Sequence, residues 1–330
     1  MALNNKNSKV DSLKAQMKIR PEELAPTLEN FIWHYMEKLE REGVILGLSG
    51  GIDSAVVAGL CKRAVGAEKT LALIMPEKDS KKEQAEDALN LANELGINHR
   101  LIDITPHLKK LGVYKLFPLN KPLLPKILKE TLTRRAYNYY QRKTGETPFS
   151  ASLAGLKDKE FSPYLKKSNA YYRSKHRLRL LLLYLYGELE NRLVVGATNK
   201  SEYQIGFFVK YGCDMAADIM PLLNLYKSQV RELAQFLSIP HGIIDKPPSP
   251  DIIPGLTDEK AITISYEKLD LILVALENGW EIFKIAKVLG IKERQIIGVQ
   301  KLVQKSQHMR KIYWPAGGLE VCRRIITEEK

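Results

Sequence analysis

The stretch that decides the fold spans residues 47 to 54 and reads Gly47-Leu48-Ser49-Gly50-Gly51-Ile52-Asp53-Ser54. It follows the apolar run Val44-Ile45-Leu46 and precedes an alanine- and valine-rich segment that begins at Ala55. We therefore predict a buried strand, a tight turn of small residues and the start of a helix. Paired glycines let backbone N–H groups approach an anion, and a helix N-terminus adds positive potential, so this turn is expected to hold a phosphate.

Asp53 distinguishes this loop from a Walker A loop. The Gly-Lys-Ser/Thr ending is missing, and an acidic residue stands where a lysine is expected. An acid beside a phosphate needs a cation between them, and Mg²⁺ prefers carboxylate oxygens. The sequence therefore predicts that Asp53 holds magnesium; the alternative is a turn capped by a serine that binds no ligand.

Strand-like and helix-like segments alternate along much of the chain. The predicted strands cover 44–48, 70–75, 99–104 and 193–196, and the predicted helices cover 24–42, 52–64, 82–95, 123–140, 174–188, 227–237, 266–277, 280–289 and 292–309. This alternation is typical of an α/β fold with a doubly wound parallel sheet. Ligands of such sheets bind beyond the carboxyl ends of the strands, where residues 49–54 fall.

The composition is that of an ordinary globular protein. The chain has 330 residues, of which 45% are apolar and 27% are charged. Its longest apolar stretch, near Leu180, is too short to cross a bilayer, and the polar N-terminus lacks a signal-peptide core. The three cysteines, at positions 61, 213 and 322, show no metal-ligand spacing. Reduced thiols in a cytoplasmic protein are the simplest interpretation.

Positive charge is concentrated in one stretch. The net charge is +13, and residues 113–177 hold 15 Lys and Arg against 4 Asp and Glu, with 7 of the 15 tyrosines. A basic segment with interleaved aromatic residues suits a polyanionic partner such as nucleic acid or a phosphorylated ligand. A polyanion contact by residues 113–172 is therefore one interpretation, and a solvated basic lobe is the other.

A second group of motifs follows the predicted strand at 193–196. In chain order they are Gly196-Ala197-Thr198-Asn199-Lys200-Ser201-Glu202, Gly206-Phe207-Phe208-Val209-Lys210-Tyr211-Gly212, Asp214, Asp218, Leu225-Tyr226-Lys227, Pro247-Pro248-Ser249, Thr257-Asp258-Glu259 and Ser306-Gln307-His308-Met309-Arg310. The upstream Ser-Gly-Gly-x-Asp-Ser loop resembles the pyrophosphate loop of the N-type ATP pyrophosphatases. Together, over residues 25–110 and 173–315, these motifs resemble ammonia-dependent NAD synthetase.

The resemblance implies a fold and a reaction. The fold would be of the adenine nucleotide α-hydrolase-like type. The enzyme, a homodimer, would amidate deamido-NAD to NAD with ammonia through an adenylated nicotinate, releasing AMP and pyrophosphate. ATP would be the co-substrate and Mg²⁺ the metal ion. Only 46 residues precede Gly47, too few for an amidase domain, which favours ammonia as the nitrogen source.

The resemblance also implies roles for individual residues. The ATP-binding set is Gly47, Leu48, Ser49, Gly50, Gly51, Ile52, Asp53, Ser54, Thr198, Lys227 and Ser249. Asp53 and Glu202 would hold magnesium, and the catalytic residues would be Asp53, Lys227 and Asp214. The deamido-NAD set is Arg177, Tyr184, Lys210, Asp218 and His308. Asp214 is expected to take a proton from ammonium, because the attacking nitrogen must be neutral.

Several positions depart from the family's motifs, and most of them lie on the acceptor side. Cys213 adds one residue to the family's glycine-rich Gly-Asp-Gly-Gly-Ala-Asp loop, and Ala197 stands where the family has threonine. The other departures are Leu256, Ala261 and Met309. The ATP end of the predicted site thus keeps its motifs, whereas the changes bear on the identity of the acceptor.

The predicted organisation is a flexible lead at 1–22, one domain at 23–315 with a basic, tyrosine-rich insertion at 105–172, and a tail at 316–330. An alternative function is an ATP pyrophosphatase that adenylates RNA or a sulfur-transfer substrate. The charge and tyrosines of the insertion favour it, and the lack of a paired-cysteine motif opposes it. A helix–turn–helix at 285–292 would instead imply DNA binding, although two helices around a glycine turn are also ordinary packing.

Overall fold

Four parallel strands form the central sheet. They are β1 (Gly43–Gly47), β2 (Thr70–Ile74), β3 (Asn98–Leu101) and β4 (Arg192–Val195), and they lie in the order β3-β2-β1-β4. The computed structural model describes residues 2–116, 126–153, 156, 160–248 and 256–311. Because the strand order reverses between β1 and β4, the carboxyl ends of these two strands open a crevice of the kind in which doubly wound folds bind ligands.

Helices cover both faces of the sheet and extend beyond it. They are α1 (Ala2–Met17), α2 (Pro21–Lys38), α3 (Ile52–Val65), α4 (Lys82–Leu95), α5 (Thr105–Lys110), α6 (Lys126–Thr144), α7 (Pro148–Ser152), α8 (Ser162–Leu189), α9 (Lys200–Ile205), α10 (Lys227–Phe236), α11 (His241–Ile244), α12 (Asp258–Ile262), α13 (Tyr266–Glu277), α14 (Ile282–Leu289) and α15 (Glu293–Lys305), with 3₁₀ turns at Val113–Lys115 and Gln307–Arg310. In the described part of the chain, no helix is long and apolar enough to cross a membrane.

Alternate side chains of β1 belong to two different cores. Val44 and Leu46 pack with residues of α2, α3 and α10 on one face of the sheet. Ile45 packs on the other face, in a cluster that includes Leu183 of α8. Burial on both faces accounts for the unbroken apolar run that the sequence shows before the glycine-rich loop. The predicted α/β class and parallel sheet are therefore confirmed.

The N-terminal residues differ from the sequence-based prediction of a flexible lead at 1–22. Residues Ala2–Met17 form α1, and Leu13 is fully buried in a helical cluster with residues of α13, α14 and α15. Val10, Leu13 and Met17 are spaced for one helical face, but polar residues dominate the segment and this helix was not predicted. The predicted tail at 316–330 lies outside the described residues.

The basic stretch contains more helix than the sequence predicted. Helix α8 begins at Ser162, well before the predicted start at Ser174, and α7 lies between the predicted helices, where none was expected. Pro163 lies in the first turn of α8, where its missing N–H costs nothing and its fixed φ suits a helix. Pro163 is therefore compatible with the early start of α8.

Candidate active site

Small residues shape the loop that follows β1. Gly50 has a φ of +76°, and a Cβ at this position would clash with the carbonyl oxygen of Gln84, so the turn requires glycine. The Ser54 hydroxyl donates to the carbonyl of Gly51 at 3.0 Å and accepts from the N–H of Ser49 at 3.2 Å. Gly51 is the N-cap of α3 and has no side chain to cap it. The helix N-terminus is thus built to receive an anion.

A buried ammonium group joins the loop to the second half of the chain. Nζ of Lys227 contacts the carboxylate of Asp53 and lies 3.2 Å from Oε1 of Glu202. Only 2% of the Lys227 side chain is exposed, against 19% for Asp53 and 15% for Glu202. The structure therefore brings together three of the residues that the sequence predicted for the ATP end of the site.

Asn199 links the carboxylate of Asp53 to the backbone of Glu202. Its side-chain amide donates to Oδ1 of Asp53 at 2.9 Å, and its side-chain oxygen accepts from the backbone N–H of Glu202 at 3.0 Å. Asn199 is the N-cap of α9, so one side chain starts the helix that carries Glu202 and also fixes Asp53. No role was predicted for Asn199; its position directly after a strand and before a short helix was the available signal.

Asp258 and Tyr266 extend the cluster and were also missed. The Tyr266 hydroxyl lies 3.1 Å from Oδ2 of Asp258 and 3.3 Å from Oε1 of Glu202. Oδ1 of Asp258 is buried and has no hydrogen-bond partner among the described residues. Asp258 belongs to the motif Thr257-Asp258-Glu259, for which no function was predicted. Its unpartnered oxygen shows that the cluster has capacity for a further donor or cation.

Burial governs the protonation of this cluster. It raises the pKa of Glu202 to about 8, aided by the nearby Asp53 and Asp258 and opposed by Lys227. It likewise raises the pKa of Asp258 to about 6. Burial works to lower the pKa of Lys227, but the three carboxylates outweigh it and hold that pKa above its ordinary value. Three carboxyl groups thus surround one ammonium group, and protonation of Glu202 or Asp258 relieves the repulsion between the carboxylates.

The acceptor end of the site is built around Asp214. Its Oδ1 lies 2.7 Å from Nδ1 of His176, and its backbone carbonyl accepts a hydrogen bond from the hydroxyl of Thr198. Burial would raise the pKa of Asp214, but His176 and hydrogen bonds from Cys213 and Val209 hold it below its ordinary range. Asp214 is therefore a carboxylate at neutral pH, as a proton acceptor must be.

One cavity of about 280 Å³ connects these two ends. The loop lines it together with Asp53, Thr198, Glu202 and Lys227, and so do Asp214 and His176. Thr198 is only 2% exposed, and its hydroxyl is committed to the backbone of Asp214. The sequence-predicted ATP and proton-transfer residues thus lie around a single volume, with two exceptions: Gly50 does not line it, and Ser249 is outside the described residues.

A second cavity, of about 540 Å³, is strongly basic. It is lined by Arg177, Lys210 and His308, three of the residues predicted to bind deamido-NAD, together with Arg173 and Lys305. A guanidinium nitrogen of Arg177 donates to the carbonyl of Lys210, and Nζ of Lys210 donates to the carbonyl of His308, each at 3.2 Å. Residues far apart in the chain therefore meet in one cationic pocket.

Tyr184 and Asp218, the remaining predicted substrate residues, form a pair of their own. The Tyr184 hydroxyl donates to Oδ1 of Asp218 at 3.0 Å, and Oδ2 of Asp218 accepts from the N–H of Val194 at 2.8 Å. Neither side chain is among the residues that line the two cavities. In the described part of the chain, this pair ties α8 to β4, and its role toward substrate stays a prediction.

The parallel sheet carries a glycine-rich anion loop after its first strand, and a buried lysine and carboxylates lie at the same edge. These are features of an ATP-dependent ligase. A family model described as NAD synthase matches residues 24–141 and 148–313. The chain belongs to the NAD synthase family. Most of the predicted insertion at 105–172 lies within these matched residues.

Curated relatives support the same assignment over nearly their whole length. An NH(3)-dependent NAD(+) synthetase from Thermotoga maritima is 42% identical over 276 residues, covering 81% of this chain and 95% of the relative. One from Methanocaldococcus jannaschii is 35% identical over 289 residues, covering 88% and 94%. The predicted resemblance to NAD synthetase, and the prediction of a ligase that forms a C–N bond with ATP as co-substrate, are confirmed.

Solved structures agree on the fold. An NMN synthetase from Francisella tularensis superposes with a TM-score of 0.65 at 28% identity, covering 91% of this chain and all (100%) of that one. An NH3-dependent NAD synthetase from Campylobacter jejuni superposes with a TM-score of 0.60 at 26% identity, with the same coverage. The predicted adenine nucleotide α-hydrolase-like fold is therefore confirmed.

Proposed function

We propose that this chain amidates deamido-NAD to NAD with ammonia, through an adenylated nicotinate, and releases AMP and pyrophosphate. One observation carries the proposal: the anion loop, the Lys227 cluster and Asp214 line the same cavity. A carboxylate acceptor bound there lies between a site for ATP phosphates and a group that accepts a proton. Family membership supports this chemistry, and none of the relatives reported above is named for RNA or a sulfur-transfer substrate as the acceptor.

At the ATP end, the chain's own residues bind and polarise phosphates. N–H groups of the loop and the first turn of α3 meet phosphate oxygens, and the ammonium of Lys227 offsets negative charge as the acceptor carboxylate attacks the α phosphorus. Pyrophosphate then leaves. Lys227 is held in the cavity by its carboxylate partners, so it is oriented before ATP arrives.

The carboxylates of this cluster fit magnesium. Asp53 and Glu202 already converge on one cation, Nζ of Lys227, and Oδ1 of Asp258 is buried and unpartnered among the described residues. Such hard oxygen donors, few in number, are what Mg²⁺ takes from a protein when phosphates supply the other ligands. We propose that Asp53 and Glu202 hold Mg²⁺, which would neutralise charge on the departing pyrophosphate.

At the acceptor end, Asp214 acts on the nitrogen nucleophile. Ammonium is not nucleophilic, so a proton must leave before nitrogen attacks the acyl adenylate. Oδ2 of Asp214 accepts from the N–H of Val209 at 3.3 Å, which fixes the carboxylate, while Oδ1 faces His176. We propose that Asp214 attracts ammonium and takes its proton, after which nitrogen displaces AMP from the carbonyl carbon.

Charge indicates where the dinucleotide binds, and exposed apolar side chains indicate where a second subunit packs. We propose that the basic cavity with Arg177 and Lys210 binds the pyrophosphate and ribose portion of deamido-NAD.

Helix α8 presents Leu181, Leu185 and Leu189, exposed by 64%, 48% and 70%, at intervals of one turn. An exposed leucine stripe favours the predicted homodimer through α8. The cytoplasmic location and the polyanion contact by residues 113–172 stay predictions.

Product analysis tests the proposed function. The protein is incubated with ATP, Mg²⁺, ammonium and deamido-NAD, and AMP, pyrophosphate and NAD are quantified by chromatography. We expect the three products in equal amounts and no AMP without the acceptor. AMP release that does not depend on deamido-NAD, and that yields no NAD, would contradict the proposal.

Two parallel reactions define the acceptor and the nitrogen source. Nicotinate mononucleotide replaces deamido-NAD in one, because a similar structure is named an NMN synthetase. Glutamine replaces ammonium in the other. We expect deamido-NAD and ammonium to give the higher kcat/KM; a preference for the mononucleotide would keep the adenylation chemistry and change the assigned acceptor.

A further inference from the structure

Three potential metal ligands meet at the acceptor end of the cavity. Nδ1 of His176, Sγ of Cys213 and a carboxylate oxygen of Asp214 all lie within 4.8 Å of one another. Sγ of Cys213 is 3.5 Å from Nδ1 of His176 and 3.3 Å from Oδ1 of Asp214. Cys213 is the residue by which this loop exceeds the glycine-rich motif that the sequence resembles, so the cluster does not follow from that motif.

The backbone holds the three side chains in place. The N–H of Cys213 donates to the carbonyl of His176 at 3.2 Å, which ties the loop directly to α8. Gly212 allows this approach, because a Cβ there would lie 2.9 Å from Cβ of His176. The N–H of Val209 and the hydroxyl of Thr198 fix the two ends of Asp214. The cluster is therefore preorganised on rigid elements.

We propose that His176, Cys213 and Asp214 form a binding site for a thiophilic divalent cation, with Zn²⁺ as the best fit. Tetrahedral zinc with Zn–S near 2.3 Å and Zn–N or Zn–O near 2.1 Å places neighbouring donors about 3.4 to 3.6 Å apart. Two of the three separations already lie near that range. The 2.7 Å hydrogen bond from His176 to Asp214 must open by about 0.7 Å.

The donor set separates this site from the magnesium site. Asp53 and Glu202 offer only hard oxygen donors, whereas a thiolate and an imidazole select zinc over magnesium. Three protein ligands leave a fourth position, and all three residues line the 280 Å³ cavity. That arrangement matches open zinc sites, in which the fourth position takes water or a small ligand.

Occupation of this site would switch off the reaction. This consequence rests on the proposed function, because it requires Asp214 to be the proton acceptor for ammonium. A cation bound to Oδ1 of Asp214 removes that capacity and places positive charge where ammonium must enter. We therefore expect micromolar Zn²⁺ to inhibit NAD formation in the wild-type protein.

Cobalt absorption tests the site independently of activity. Co²⁺ is titrated into reduced, tag-free, full-length protein, and a sulfur-to-cobalt charge-transfer band and tetrahedral d–d bands are recorded. We expect one equivalent to bind to the wild type and Zn²⁺ to displace it. Cys213→Ser removes the thiolate and is expected to abolish the charge-transfer band. Cys61→Ala and Cys322→Ala, which each remove another cysteine, are the matched controls and keep the band.

Three results would overturn the proposal. They are no charge-transfer band in the wild type, a band that persists in Cys213→Ser, and a band lost in a control instead. If Cys213→Ser fails to fold by circular dichroism, His176→Asn is used, and Co²⁺ affinity is expected to fall by at least about tenfold. The spectra are recorded without substrate, so they test the zinc site separately from the proposed function. A protein that makes no NAD would contradict the proposed function but not the zinc site.

Discussion

The ammonium group of Lys227 contacts Asp53, a residue separated from it by 174 positions, and lies 3.2 Å from Glu202. This contact joins the phosphate loop after β1 to the first turn of α10 and to α9. Two carboxylates that converge on a buried cation define the place where a metal ion and ATP phosphates are expected. Lys227 and Glu202 are therefore the residues at which this cluster is best tested.

Replacing Lys227 by methionine removes the cation and keeps the length of the side chain. We expect Lys227→Met to lower kcat for AMP formation by about 10² to 10³, the effect of losing one preorganised electrostatic contact in the transition state. Pyrophosphate release measured with saturating substrates checks this value. Lys166→Met, which removes an exposed lysine of α8, is the charge-matched control. A loss below threefold in Lys227→Met would contradict the assignment.

The raised pKa of Glu202 predicts that the free energy of unfolding of the metal-free protein depends on pH. Its pKa is raised to about 8 by burial, so between pH 4.5 and 8 the folded state holds a proton that the unfolded state has released. The folded state binds more protons in this window, so the free energy of unfolding falls as the pH rises. The limiting slope for one group is about 1.4 kcal/mol per pH unit.

Glu202→Gln is the variant that isolates this effect. The amide is neutral at every pH, so urea unfolding between pH 6 and 8 should show a shallower decline for the variant than for the wild type. Measurements are made with a chelator present, because a bound cation would stabilise the carboxylate. Identical slopes for the two proteins would show that Glu202 is ionised throughout this range.

Asp214→Asn separates the two half-reactions. The amide keeps the shape of the side chain but accepts no proton, so amide formation should slow by about 10² or more while adenylation changes little. Rapid-quench measurement of pyrophosphate and NAD in the same reaction compares the two steps. Equal loss of both would mean that Asp214 serves binding or folding.

Because Lys210 lines the basic cavity, its replacement is expected to change the KM for deamido-NAD and not the KM for ATP. Lys210→Met should raise the KM for deamido-NAD by about tenfold or more, the scale of one lost charge-assisted contact, and should leave the KM for ATP within about twofold. Steady-state kinetics with each substrate varied checks the split. A parallel rise in both KM values would place Lys210 outside a dedicated acceptor site.

The leucine stripe on α8 predicts the oligomeric state. Leu185 is 48% exposed between Leu181 and Leu189, so a charge at its position would be buried in a dimer formed through α8. We expect the wild type to sediment as a dimer and Leu185→Glu as a monomer with an unchanged circular dichroism spectrum. A wild-type protein that is monomeric at micromolar concentration would contradict the proposed interface.

Local patterns predicted the loop after β1 and the residues that gather beside it. The glycine and serine spacing at 47–54 corresponds to a turn in which Gly50 has a positive φ and Ser54 bridges the loop. Lys227 and Glu202 were predicted from motifs of the second half, and the fold brings them to Asp53. These features depend on short stretches of chain and on the general rule that parallel strands end at one edge.

Long-range pairings were not predictable in the same way. The contact between His176 and Asp214 joins α8 to a loop 38 residues later, and no periodicity or spacing indicates it. Cys213 likewise showed no metal-ligand spacing in the sequence, because its partners come from a helix and an adjacent residue. Leu13 of α1 is buried by helices from the far end of the chain. Tertiary packing determined these positions.

The most direct test of the central claim follows an oxygen atom. Deamido-NAD labelled with ¹⁸O in the nicotinate carboxylate is converted with ATP, Mg²⁺ and ammonium, and AMP, pyrophosphate and phosphate are analysed by mass spectrometry. Attack of the carboxylate on the α phosphorus predicts one ¹⁸O in each AMP and none in pyrophosphate. Unlabelled AMP, or label in inorganic phosphate, would contradict the adenylated intermediate.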